Sequence, residues 1–185
     1  MNRIRHSLLA VSVVVAASVG LPAGSALAAT GAQLNAGGQA ALHRLYSQSD
    51  RARRYARDAH AILVFPKIVK AGLLIGGQGG EGVLFVHGRP TAYYKIGAVS
   101  YGLQAGGQSF SYALFLMNDG AIRYLNKSGG WAIGSGPSVV VVDKGAAMST
   151  TSTTLAKDVY AFPFGQKGLM AGLGLEGSKI TRINK

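Results

Sequence analysis

The sequence predicts an α+β domain in which N-terminal helices pack on a glycine-rich, strongly coiled antiparallel β-sheet, barrel-like or a bent sandwich. Three observations predict it. Between residues 34 and 59 apolar side chains recur at helical spacing, whereas from residue 61 onward short apolar runs alternate with turn signals. Glycine supplies 27 of 185 residues, about twice the usual ~7% share. It has no three-residue period and sits among strong apolar runs, which excludes collagen-like and disordered chains. Finally, one glycine-rich stretch occurs twice.

The copies are Gly72-Leu73-Leu74-Ile75-Gly76-Gly77-Gln78 and Gly102-Leu103-Gln104-Ala105-Gly106-Gly107-Gln108, thirty residues apart without a gap. In the same register Leu84-Phe85 falls on Leu114-Phe115. A partial copy, Gly168-Leu169-Met170-Ala171-Gly172, follows 66 residues after the second. Solenoids stack at least about three regular units, so the pattern predicts duplicated β-hairpins inside one domain. Each glycine arm is expected to pair with its own apolar arm, with Gln78 and Gln108 at matching links. Glycine weakens a strand, and the usual reason for keeping it is close approach of another layer or a sheet turning a corner. A ligand lying on exposed backbone is the functional alternative. On the packing account, valine at Gly76 or Gly106 destabilises.

Taken in order, the chain opens with Arg3 and Arg5, an apolar run over 8–21 and Ala26-Leu27-Ala28, the pattern of a cleaved signal peptide. Residues 1–28 are read as this leader and 29–185 as a single domain, exported to the periplasm or cell envelope. The apolar run is short of the ~20 residues that span a bilayer. No cysteine is present, so neither lipidation nor disulfides are available. Residues 29–33 read as a loose lead-in. Ala41, Leu42 and Leu45 mark a first helix starting at Leu34, and Ser49 or Asp50 is the N-cap of a second that runs to about Ala59. At ~100° per residue, Ala52, Tyr55, Ala56 and Ala59 share one sector of that helix, and Arg53, Arg54 and Arg57 the opposite one.

The run 62–65 reads as a short strand closed by Pro66, entering a loop that carries Lys67 and Lys70. Strands follow at 83–86 and 91–94, separated by the turn signal His87-Gly88. Residues 113–117 lead to Asn118-Asp119-Gly120, a hairpin signal with a return strand at 121–125. Further strands are expected at 131–133, 139–142 (buried), 158–162, 169–175 and 179–183. Residues 148–155, rich in Ser and Thr, are a half-exposed strand or a long loop.

Without the leader, 157 of the 185 residues remain, carrying 17 Lys and Arg (19 less Arg3 and Arg5) against 7 acids, a balance of +10. That charge favours anionic partners, and export removes nucleic acid from them. The tract Gly76-Gly77-Gln78-Gly79-Gly80-Glu81-Gly82 precedes a strand instead of opening a helix and lacks a following lysine, so it does not cradle phosphate as a P-loop does. His43, His60 and His87 are isolated, no metal-ligand spacing is present, and Gly134-Ser135-Gly136 is not a nucleophile elbow. Glu81 and Glu176 could meet as a carboxylate pair, or act as turn residues or salt-bridge partners. No catalytic residue, metal ligand or cofactor is assigned.

Ala61-Ile62-Leu63-Val64-Phe65-Pro66, Lys70-Ala71-Gly72-Leu73, Gly102-Leu103-Gln104-Ala105-Gly106, and Lys167-Gly168-Leu169-Met170-Ala171-Gly172 through Leu175-Glu176-Gly177-Ser178 together resemble the SYLF domain. The resemblance runs from about the second helix to the C-terminus. It implies a lipid-binding module, whose eukaryotic members bind phosphoinositides through an N-terminal amphipathic segment and whose fungal members also bind actin. This chain has Tyr93-Tyr94-Lys95 where a Trp-centred segment is usual, and no attached SH3 or FYVE domain. What transfers to an exported protein is association with anionic lipid. The expected contacts are Arg51, Arg53, Arg54, Arg57, Lys67 and Lys70, which flank one helix-to-strand junction. The alternative is that they form a solvated face balancing Asp50 and Asp58. A structural or interaction protein of the envelope, with a protein partner and no lipid preference, is the rival reading.

Overall fold

The structure, a computed structural model, describes residues 28–142, 157–168, 175 and 177–185. The expected leader, apart from Ala28, lies outside the described residues. So do the stretch 148–155, Glu176, and most of both the expected strand 169–175 and the third glycine copy. The described chain is α+β, with helices ahead of a mixed sheet that curls into a half-barrel. Helix α1 spans Gly31–Gln48 and α2 spans Asp50–Asp58. Residues 29–33 are not a loose lead-in: Thr30 caps α1, its hydroxyl accepting from Gln33 N at 3.2 Å while Gln33 Oε1 accepts from Thr30 N at 2.9 Å. This reciprocal cap satisfies two amides and moves the helix start ahead of Leu34. Ser49 caps α2 as expected, accepting from Ala52 N at 3.1 Å.

Two long strands dominate the rest. Strand β1 runs Ala61–Val86 and β2 runs Arg89–Leu116, antiparallel along their whole length and joined at His87-Gly88, whose φ angles are 49° and 75°. The chain therefore makes one hairpin where two were expected. The copies meet across it only at Gly72 opposite Gly106 and Leu73 opposite Ala105, while Gly77 lies opposite Val99, outside the second copy, so neither glycine arm pairs with its own apolar arm. Gln78 and Gln108 are mid-strand, opposite Ala98 and Lys70, and are not matching links. Pro66 does not close β1 either. The register slips between Phe65 and Ile68, so Pro66 and Lys67 stand opposite Ser111 alone, and the Ser111 hydroxyl donates to Pro66 O at 2.8 Å. A bulge is where a residue without an N–H fits in a strand.

A straight strand of 26 residues would run about 85 Å at ~3.3 Å per residue, against a radius of gyration of about 15 Å for a domain of this size. The hairpin must bend, and it does so at the glycine copies. Between Leu73–Ala105 and Ile75–Tyr101 one β1 residue stands opposite three of β2, so β2 takes the longer, outer path. Past the bend β1 returns against itself: a Cβ on Gly82 would stand 2.5 Å from Val64 O, and one on Gly80 2.5 Å from Lys67 O. At Gly80 and Gly82 glycine serves close approach, as packing predicted, whereas an added Cβ at Gly77, Gly79 or Gly97 would meet only ordinary contacts.

Strands β3 (Trp131–Ala132), β4 (Val139–Val141), β5 (Val159–Gly168) and β6 (Lys179–Ile183) complete the described sheet, ordered β3-β6-β2-β5-β4 with β1 on the other side of β2. Strand β6 pairs with the first half of β2 and β5 with the second, each on its own side of the bend. Strand β5 extends beyond the expected 158–162. The run at 139–142 is a half-buried strand parallel to β5, not a fully buried one. Alternation sorts the side chains into two cores. Leu63, Phe65, Tyr94, Tyr112, Leu114, Trp131 and Ile180 fill the inside of the curl, while Val64, Val83, Phe85, Phe115, Tyr160 and Phe162 face the helices.

The expected hairpin at 118–125 is helix α3, Asp119–Leu125. Asn118 caps it by accepting from Ala121 N at 2.9 Å, and Ala121 and Leu125, four apart, bury together. Asn and Asp serve caps as readily as turns, and the apolar spacing decides for helix.

Candidate lipid-facing site

Helix α2 is oriented by its one aromatic residue. Tyr55 stacks on Tyr160 of β5 with ring centroids 4.1 Å apart and meets Phe162 at 5.8 Å. Ala52, on the same sector, is fully buried. With that side fixed to the sheet, Arg53, Arg54 and Arg57 are exposed, as the sequence periodicity predicts. Arg57 in the last turn and Asp50 in the first complement the helix dipole. Arg53 forms an ion pair with Asp50 and donates to the Tyr46 carbonyl, which fixes it across the α1–α2 corner.

Arg51, half-buried, and Arg54 line a cleft of about 390 Å³ between this corner and the sheet. Leu45, Val142, Phe162, Pro163 and Phe164 form its apolar part, and Asp50 stands at the same cleft. Guanidinium groups make paired bonds to phosphate oxygens. Two of them over an apolar floor can hold the phosphate of an amphiphile while its uncharged part lies on the aromatic residues.

The structure does not join the two lysines to this group. Lys67 is exposed at the β1 bulge, and the register turns it to the same side as Val69. Lys70 is buried, on the face of β1 that also carries core residue Ile68, opposite Gln108. Alternation beyond the bulge points Lys70 into the curl, apart from the outward arginines of α2.

Several other titratable groups are tied into the fold. Lys185 Nζ holds both Glu81 oxygens at 2.8 and 2.9 Å, so Glu81 is a salt-bridge partner inside a strand. His60 Nδ1 lies 2.8 Å from Asp119 Oδ1, and this bond and charge lower the Asp119 carboxyl below its ordinary range. Asp158 is also held low, by bonds from Ser138 N, Asn118 Nδ2 and the Ser138 hydroxyl. Burial raises the phenols of Tyr46, Tyr94 and Tyr160. The sequence reading missed Tyr55 as the residue that orients α2, and it missed the exposed apolar residues at the bend. An aromatic residue alone among the alanines of the helix's inner sector was the available signal for the first.

Residues 97–185 match the family model described as Ysc84, Las17-binding protein actin regulator. Over these residues the chain is similar to the SYLF family. The SYLF match starts within β2, so Ala61-Ile62-Leu63-Val64-Phe65-Pro66 and the arginines of α2 precede it. Strand β1 nevertheless bonds to β2 throughout, so the folded unit reaches beyond the matched span. No curated relative matches the chain. No helix of the described residues is long and apolar enough to cross a membrane.

Proposed function

We propose that the protein is a non-enzymatic, exported SYLF-domain protein that associates with anionic lipid or phosphorylated membrane surfaces in the periplasm or cell envelope. The observation that carries this is the orientation of α2, whose apolar sector is committed to the sheet while Arg53, Arg54 and Arg57 face outward and Arg51 and Arg54 line one cleft. A basic residue near an anionic leaflet contributes about 1 kcal/mol. Arg53 is already engaged by Asp50, so the exposed Arg54 and Arg57 together supply about 2 kcal/mol, enough for reversible adsorption. With its apolar sector packed, α2 adsorbs and does not insert. Flotation with phosphatidylglycerol or cardiolipin vesicles tests this. Binding should weaken with salt, be absent on phosphatidylcholine, and fall in an Arg54→Gln/Arg57→Gln variant. Equal flotation with neutral and anionic vesicles, or none with either, overturns the reading.

The second reading, an interaction protein of the envelope without lipid preference, is favoured by the family description, which names a binding partner and actin regulation. It predicts a stoichiometric complex with one protein, unaffected by the α2 arginine substitutions.

A further inference from the structure

Three of the four exposed large apolar side chains among the described residues lie at the hairpin bend: Val69 (47% exposed), Ile75 (62%) and Val99 (66%). Their register shows that they share a side. Ile75 pairs with Tyr101 and Gly77 with Val99, and residues two apart on a strand point the same way, so Ile75 and Val99 are on one face. Further along, that face carries Val83 and Phe85, which α1 covers so closely that a Cβ on Gly38 would stand 2.5 Å from Val83. Beyond α1 the face carries glycine at 77, 79 and 97, and among the described residues Ile75 and Val99 are left largely exposed. In the first half of β1, Phe65 and Ile68 point into the curl, so Lys67 and Val69 point outward to the same helix-bearing side.

Lysines surround these residues. Lys167 sits opposite Ser109, the partner of Val69, and Lys179 sits opposite Gly97; with Lys67, all three are exposed. The carboxylate that the register places on this face, Glu81, is neutralised by Lys185. Branched apolar tips ringed by flexible amines fit a layer that is apolar beneath and anionic at its surface. Lysine stems lie along the acyl boundary while their amines reach phosphate. A protein interface, by contrast, is depleted of lysine at its core.

We propose that this glycine bend is the part of the molecule that enters an anionic bilayer, with Val69, Ile75 and Val99 below the phosphates and Lys67, Lys167 and Lys179 on them. The proposal rests on the membrane reading above and adds a second, inserting element to the adsorbing helix. The chain has no cysteine, so Ile75→Cys, Val99→Cys and, as a control on the exposed link after α3, Ser128→Cys can each carry one environment-sensitive fluorophore. On phosphatidylglycerol vesicles the labels at 75 and 99 should shift to the blue and be quenched by shallow spin-labelled lipid, while the label at 128 stays as in water. An Ile75→Asn/Val99→Asn variant should lose about tenfold in affinity at raised salt and keep its melting temperature. If the protein floats with anionic vesicles but the labels at 75 and 99 remain in water, the bend does not insert and the inference fails while the adsorption reading stands. If the protein does not float, both fail. If the asparagine pair instead dissolves a dimer, the face belongs to a second copy and the inference is wrong.

Discussion

At Gly82 the missing side chain is itself the structural requirement, because the returning half of β1 passes directly over Val64 and Phe65. Alanine there places a carbon 2.5 Å from a backbone oxygen that cannot rotate away, and overpacking of this kind costs about 1–3 kcal/mol. Thermal melting of Gly82→Ala should show that loss. Gly106 is a different case: its φ of 134° disfavours any L side chain, so the expected penalty of valine at this position has a backbone origin. Asp158 gives a pH signature. Its folded carboxyl lies below the ordinary value of 3.8 because Ser138 and Asn118 donate to its charged form. Stability from a depressed acid is present above the unfolded pKa and disappears as pH falls through the folded one. The stability gap between the parent and Asp158→Asn should hold from neutrality to about pH 5 and close below about pH 4. A gap unchanged at acid pH would show that the charge is not what holds β4, β5 and α3 together.

Among the elements, α2 was legible because two independent signals agreed, a Ser49 cap and a clean division of alanines from arginines around the helix. Helix α3 was not, since a seven-residue segment has too few turns to show a period and its Asn-Asp-Gly start reads equally as a hairpin. What settles it is tertiary: Ala121 and Leu125 bury together against the inner core, and Asn118 both caps the helix and donates to Asp158 at 2.8 Å. Replacing Asn118 with alanine should therefore remove about 1 kcal/mol for the cap alone, read from chemical denaturation, with a further loss that vanishes in the Asp158→Asn background. The candidate site divides in the same way. The arginines could be placed from sequence because a helix displays its faces through spacing. Lys70 could not, because the bulge at Pro66 reverses which residues of β1 face inward. Val69, Ile75 and Val99 read as core in any strand-rich sequence, and their exposure depends on where α1 ends.

For the whole molecule, a thirty-residue repeat admits two foldings: two hairpins side by side, or one long hairpin with each copy in a different strand. The sequence does not choose between them, since both bury the same apolar arms. The chain takes the second, and the glycine copies coincide at the bend that lets 26- and 28-residue strands fit into one domain. This makes the glycines separable by experiment. At Gly72 an added Cβ would run into Gly76 Cα and the Ile75 carbonyl, all backbone of the same turn. At Gly77, four residues before the Glu81 held by Lys185, the nearest atom to an added Cβ is Ala98 O at 3.6 Å, an ordinary contact. Alanine at Gly77 should therefore be neutral or stabilise by about 0.4–1 kcal/mol through the lower entropy of the unfolded chain, whereas Gly72→Ala should destabilise by at least the 1–3 kcal/mol typical of overpacking. In two separate hairpins the two positions would belong to the same arm and respond alike. Melting of both purified variants against the parent decides: opposite signs support the single bent hairpin, and equal losses would mean that the bend at Gly72 is not where the chain turns over.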